Sequence, residues 1–250
     1  MMLLLIDVGN THIVFALWDG EKCCREKRLP TNGDTPRSVF EDAMTEVLDD
    51  TEAEGAVLSS VVPQVSGKLS AAAEKVTGKR CLSVTYDMKM NMPLRVDEPP
   101  TIGADLIAGC VGAMQKYPLP LAVADLGTAN TVMAVNADGE FVGGVIAPGL
   151  KMQLASLGAG TSLLPDLEVA APKNCIGANT ADCLESGVVY GTAAMLDGVL
   201  ARMEQELGGA LTAIATGGLS GVVVPHCRRK IAIEPDLVLR GMAALYGMNR

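Results

Sequence analysis

Two stretches of this 250-residue chain repeat one device. LLLIDVGNTHIVF at 3–15 and LAVADLGTANTV at 121–132 each run an apolar strand into an acid, a glycine and hydroxyl-bearing residues. A strand that ends this way exposes one carboxylate beside a turn whose glycine carries no side chain, which suits a phosphate or a metal ion. The likeness continues downstream. IVFALW is followed by Asp19-Gly20-Glu21, and TVMAVNA by Asp138-Gly139-Glu140, and Asp-Gly between strand-like runs marks a hairpin. Each half therefore opens strand, turn, strand, hairpin, strand. Each later carries an apolar strand ending in small polar residues, GAVLSSVVPQV from 55 and TAIATGGLSGVV from 212. The interval is too long for a stacked repeat, so the pattern implies a duplicated domain.

Helical spacing fills the intervals at 37–49, 66–77, 103–117, 180–207 and 235–247, the fourth expected to break near Gly187 or Gly191. Met195, Val199, Met203 and Leu207 form an apolar stripe in that fourth helix. Strands grouped before helices in each half predict an α/β protein of two lobes facing a cleft. The two prolines of Tyr117-Pro118-Leu119-Pro120 punctuate the chain, giving lobes of 1–118 and 119–250.

Composition narrows the function. Aromatic residues are 3% and the net charge is −9, which argues against stacking platforms and phosphate-backbone contacts, so no nucleic-acid partner is expected. The basic cluster HCRRK at 226–230 reads as a solvated loop. Seven cysteines without a Cys-x-x-Cys pair read as reduced thiols, not as a disulfide framework or zinc site. The opening MMLLLI is too short for a signal-peptide core, and no apolar run reaches membrane-spanning length, so a cytoplasmic protein without membrane contact is expected. Neither Gly-x-x-x-x-Gly-Lys-Ser/Thr nor a Gly-x-Gly-x-x-Gly after the first strand is present. What remains is a pair of Asp-x-Gly turns on opposite lobes, with ATGGLS at 215–220, able to hold the phosphates of ATP. One copy could be an ordinary turn; two at equivalent positions favour a site.

These residues carry a resemblance. IDVGNT at 6–11, LSSVVP at 58–63, IGAD at 102–105, DLGTANT at 125–131, GGVIAPG at 143–149, IGANT at 176–180, SGVVYG at 186–191 and ATGGL at 215–219 are similar, in order and nearly end to end, to the type III pantothenate kinases. The resemblance implies two duplicated actin-like ATPase (ribonuclease H-like) lobes around a nucleotide cleft, as in sugar kinases. It implies ATP-dependent phosphorylation of the primary hydroxyl of pantothenate, which opens coenzyme A synthesis, in a homodimer using Mg2+ and a monovalent cation, K+ or NH4+. It also implies roles. Asp7, Val8, Gly9, Asn10, Thr11, His12, Ile13 and Val14 would bind ATP, with Asp7 positioning magnesium through water, and Thr128 would hold phosphate from the other lobe. Asp125 would carry the monovalent cation. Gly103, Ala104, Asp105 and Leu106 would line the pantothenate pocket with Asp105 as proton acceptor, and Thr180 would reach the substrate from the partner subunit.

Asp105 opens a helical pattern with an apolar face of Ile107, Cys110, Val111 and Met114, so a helix N-terminus is expected to keep it ionised. Spacing alone leaves cap and catalyst both open; the resemblance favours the catalyst. The sequence also departs from the family pattern on the substrate side. Leu106 stands where the family has an arginine, Gly109 where it has an asparagine, Val96 where it has a tyrosine, and Gly160 where it has a second arginine. Arginine is the natural bidentate partner of a carboxylate such as pantothenate. The expectation is a kinase with an altered pocket in which Lys89, Lys151 or Arg95 could replace the cation. The alternatives are a kinase for a related small alcohol and a non-catalytic homologue that binds nucleotide or a partner.

Overall fold

The computed structural model describes residues 1–159 and 168–250. The expectation placed on Gly160 lies outside the described residues. The chain forms two compact units, Met1–Lys116 with Asp236–Arg250, and Tyr117–Pro235. Residues 236–250 thus join the first unit and not the expected 119–250 lobe.

The first unit begins with β1 (Leu3–Val8), β2 (His12–Trp18), β3 (Cys23–Pro30), α1 (Arg37–Leu48), β4 (Gly55–Ser60), α2 (Pro63–Thr77), β5 (Cys81–Ser83) and α3 (Ala104–Met114). Its sheet runs β3-β2-β1-β4-β5, with β1, β2 and β3 antiparallel and β4 and β5 parallel to β1. The central strand is covered on both faces, and Leu3 to Ile6 are fully buried, which is why it reads as an unbroken apolar run rather than an alternation. The edge strand β3 carries Arg25, Glu26, Lys27 and Arg28, and charge on an edge discourages pairing with another chain. One face of the sheet, from Ile6, Val8, Ile13, Phe15 and Leu17, packs on Phe40, Met44 and Val47 of α1 and on Val65 and Leu69 of α2.

The second unit holds β6 (Leu121–Leu126), β7 (Ala129–Val135), β8 (Phe141–Pro148), α4 (Leu150–Ala159), α5 (Thr180–Leu207), β9 (Thr212–Thr216), α6 (Ser220–Val223) and β10 (Ala232–Ile233). Its sheet runs β10-β9-β6-β7-β8, the same topology with β6 in the place of β1 and β9 in that of β4. The duplication extends to detail. Each outer hairpin has a register shift at the corresponding point, between Leu17 and Trp18 and between Ala134 and Val135. Both Asp-Gly turns use glycine at positive φ, 107° at Gly20 and 78° at Gly139.

Helix α5 is continuous over 28 residues, so the expected break at Gly187 or Gly191 is absent. Both glycines face open space and cost the helix only about 1 kcal/mol each. Val188, Val189, Ala193, Leu196, Leu200 and Met203 are buried in the unit's core and offset that cost. Asn179 caps the helix by accepting the Asp182 N–H at 3.0 Å, and Gly208 ends it at φ 75°. Of the stripe seen in the sequence, Met203 is buried in this core, while Met195, Val199 and Leu207 pack against it partly buried. Nor is HCRRK simply a solvated loop. The Arg228 and Arg229 N–H groups donate to the Asp197 carboxylate at 2.9 and 3.1 Å, and the Arg229 guanidinium pairs with Glu204, so two acids of α5 hold this segment. All seven cysteines are free. Among the described residues no helix is long and apolar enough to cross a membrane.

The chain returns to the first unit in α7 (Leu237–Asn249), which lies against α3 at backbone distance. A Cβ on Gly241 would overlap the Ala108 carbonyl oxygen and lie 2.9 Å from the Gly112 nitrogen, and one on Gly112 would overlap the Leu237 carbonyl oxygen. Tyr246 of α7 covers Gly55 of β4 and donates its hydroxyl to the Glu54 carbonyl at 3.1 Å. Arg240 places its guanidinium 5.4 Å from the centre of the buried Trp18 ring. Gly241→Ala forces backbone apart, and overpacking of this kind costs about 1–3 kcal/mol. The variant should therefore melt about 3–10 °C below the parent in a thermal scan.

Candidate active site

In the first unit the strand order brings three stretches to one end of the sheet. Asp7 ends β1 and pairs in register with Ser59 of the parallel strand β4. The fully buried Ser59 donates its hydroxyl to Asp7 Oδ1 at 2.9 Å, fixing one carboxylate oxygen. The chain leaving β4 stays beside β1, with the Val61 N–H on the Val8 carbonyl at 3.1 Å. Val61 in turn borders Gly103, where a Cβ would lie 3.4 Å from Val61 Cγ1. Gly103 caps α3, and Asp105 stands in its first turn. Asp7 and Asp105, distant in sequence, are thus linked through Ser59, Val61 and Gly103.

The turn after Asp7 is built from backbone. The Gly9 N–H donates to the His12 carbonyl at 3.0 Å, and Thr31 of the following loop donates its hydroxyl to the Gly9 carbonyl at 2.7 Å. Asn10, Thr11 and His12 are exposed, and Val14 shares the sheet face of Asp7. Val8 and Ile13 point the other way, into the core, so their side chains cannot touch a ligand and only their backbone is available. That splits the Asp7–Val14 segment by strand alternation.

At Asp105 two influences oppose each other. Its Oδ1 accepts its neighbour's N–H, from Leu106, at 2.8 Å, which favours the ionised form. Burial outweighs this bond and raises the carboxyl from its ordinary value. The carboxylate lies back over Gly103, where any side chain would overlap Oδ1. Ala104 is buried and Leu106 only partly so. Gly109 is buried within α3, and Val96 is partly buried. Lys89, Arg95 and Lys151 are all exposed, and the Lys89 backbone is clamped on both sides by the Asn249 amide.

The second unit repeats the arrangement around Asp125. Its register partners are Thr216 on the parallel strand β9 and Thr131 on the antiparallel strand β7. Gly217, at φ 86°, lies under the carboxylate, where a Cβ would overlap Asp125 Oδ1 and lie 2.6 Å from the Leu126 oxygen. Gly149 closes over the turn from the other side and donates its N–H to the Thr128 carbonyl at 3.1 Å. Thr128 is exposed on that turn. Thr180 is exposed at the first turn of α5, beside the Asn179 cap. Ser59, Gly149 and the pairing of Thr216 with Asp125 escape a residue-by-residue reading. Their only signal is that LSSVVP, GGVIAPG and ATGGL each contain small polar or glycine residues.

With this geometry in view, comparison with known proteins is decisive for the family. A sequence model of type III pantothenate kinase matches residues 3–202. The type III pantothenate kinase of Geobacter sulfurreducens is 36% identical over 256 residues, covering 100% of both chains. The chain belongs to the type III pantothenate kinase family. Among solved structures, a Campylobacter jejuni protein described as a Baf family transcriptional activator aligns with TM-score 0.64 at 18% identity, covering 98% of this chain and 97% of that one. The ROK hexokinase of Thermus thermophilus aligns with TM-score 0.51 at 14% identity over 98% of each chain. At such identities the structures speak for fold alone, and that fold is the duplicated α/β architecture of the actin-like ATPases and sugar kinases. Type III pantothenate kinase membership joins the sequence blocks to that fold.

The raised Asp105 carboxyl makes a stability prediction. Above both the unfolded value of 3.8 and the higher folded one, the folded state carries an ionised group it disfavours; below 3.8 both states are protonated and no penalty remains. This contribution therefore lowers stability as pH rises from 3.8 through the folded value. Asp105→Asn keeps an acceptor for the Leu106 N–H and removes the charge. It should melt above the parent at pH 7, with the gap closing toward pH 4, in paired thermal scans across pH.

Proposed function

We propose that this protein phosphorylates the primary hydroxyl of pantothenate with ATP, the first step of coenzyme A synthesis, with Asp105 as the proton acceptor. The end-to-end family match supports the reaction. The observation that carries the site is the junction of Asp7, Ser59, Val61, Gly103 and Asp105 at one end of the first sheet. Magnesium-bound ATP supplies the phosphoryl group and the divalent charge. The single carboxylate of Asp7 suits magnesium, which keeps several waters and takes one or two carboxylates. Ser59 holds that carboxylate in one orientation. The Gly9 turn, with Asn10, Thr11 and His12 exposed, offers donors to phosphate, and in the second unit Thr128 is exposed on the corresponding turn.

Asp105 would accept the hydroxyl proton of pantothenate. Burial raises its proton affinity in the direction that helps a base. Phosphoryl transfer also leans more on positioning than on proton removal, and the rigid seat over Gly103 provides it. Asp125 would hold K+ or NH4+, and Thr180 would touch substrate in a homodimer. The dimer rests on the family resemblance.

The substrate pocket is where this chain differs. With Leu106 in place of an arginine, the carboxylate of pantothenate loses a charge-assisted bond of about 1.5–3 kcal/mol. That loss weakens binding roughly ten- to a hundredfold. A coupled ADP-release assay with pantothenate tests the whole reading. The parent should turn over, and Asp105→Asn should lose at least ~100-fold in kcat while calorimetry still detects ATP binding. Near-normal turnover by Asp105→Asn would reduce Asp105 to a helix-start residue. Turnover by neither protein would favour a binding homologue. Leu106→Arg should raise kcat/KM for pantothenate about tenfold or more; no gain would mean that another group already pairs with the carboxylate.

A further inference from the structure

The two carboxylate-bearing strand ends are near copies, and the one side chain by which their flanks differ in kind is informative. In the first unit the row across the sheet reads Ser59, Asp7, Val14. In the second it reads Thr216, Asp125, Thr131. Residues directly opposite across neighbouring strands share a sheet face, so each row presents its three side chains together. Both rows place a hydroxyl residue on the parallel neighbour. Only the second also places one on the antiparallel neighbour, where the first has two methyl groups.

The Thr131 hydroxyl has no structural employment. Its Oγ1 is shielded from solvent and, among the described residues, finds no hydrogen-bond partner. Buried polar atoms are nearly always paired, so an orphan in a row with a carboxylate points to a missing ligand. Thr216 differs: it is 3% exposed, and its hydroxyl lies 3.4 Å from the Pro235 carbonyl. Beneath the carboxylate, Gly217 packs its backbone against Asp125 Oδ1, a place that no side chain could share.

We propose that Thr131 Oγ1 is a second protein oxygen for the monovalent cation at Asp125, and so a positioning residue that distinguishes this site from the one at Asp7. The inference rests on reading Asp125 as the cation's carboxylate. One carboxylate balances a single positive charge, and a neutral hydroxyl adds coordination without adding charge. Oxygen donors of this kind suit a hard cation. Val14 leaves the Asp7 site without such an oxygen, consistent with a metal that retains its own water there.

Thermal melting in KCl, against choline chloride of equal ionic strength, reads cation binding without turnover, because a ligand of the folded state raises the melting temperature. The parent should show a saturable rise with K+, and Asp125→Asn should lose it. Thr131→Val removes the oxygen at nearly constant shape and should raise the half-saturating K+ concentration at least ~tenfold, whereas Thr131→Ser should keep it near the parent value. Should the valine variant fail to fold, Thr131→Ala removes the same oxygen and should show the same rise. A parent-like K+ curve in the valine or alanine variant, with Asp125→Asn unresponsive, would overturn the role of Thr131 and leave the Asp125 reading standing. No K+ response in the parent would overturn both.

Discussion

A parallel strand pair lies at the centre of each sheet, and the rest of the site depends on it. Because β4 runs beside β1 in the same direction, both strands finish at one edge, and Ser59 comes level with Asp7. Because β9 runs beside β6, Thr216 comes level with Asp125. An antiparallel neighbour could bring a hydroxyl to the same level, but its chain would then run back along the sheet. Here it continues outward and supplies Val61 beside Gly103 in one unit and Gly217 beneath Asp125 in the other. Ligands of α/β folds gather at the carboxyl ends of such strands for this reason.

On that shared frame the halves have diverged by small substitutions. The first turn has one more residue than the second between register partners, since Val8 pairs with Ile13 while Leu126 pairs with Asn130. The extra residue lengthens the exposed backbone at Asn10 and Thr11. In the second unit Gly149 presses against the turn backbone and holds it down. One loop is thus longer and open, the other short and braced. Duplication supplied two identical tools, and local chemistry gave them different handles.

Much of this was legible in the sequence because its signals are local. An acid and a glycine at the end of an apolar run, and Asp-Gly between strands, are set by the backbone within a few residues. The hydrogen bond between Ser59 and Asp7 spans 52 positions and depends on which strands pair, which no local pattern states. The same holds for α7: nothing in LVLRGMAALYGMN says that its glycine meets Ala108 and Gly112 of a helix in the other half of the chain. Helix α4 went unnoticed because LKMQLASLGA has little contrast between its faces. Asp105 was legible in place, but the upward pull of burial on its carboxyl is a property of the fold that its helix position does not reveal. The glycines of α5 misled in the opposite sense: a local weakness of about 1 kcal/mol each is overridden by a long buried face.

The packing of α7 on α3 has a consequence for the order in which the protein is made. The helix carrying Asp105 is synthesised early, yet the surface that clamps it, from Leu237 to Asn249, leaves the ribosome only after the whole second unit. Domains generally fold as units during synthesis, N-terminal parts first. Here the second unit, continuous in sequence, can close before the first is complete. Until residues 237–249 arrive, Ala108 and Gly112 present a bare groove of small residues and backbone, and Gly55 awaits its tyrosine. The chain's earliest strands are therefore finished by its last helix, and the half that bears Asp105 is the later of the two to become whole.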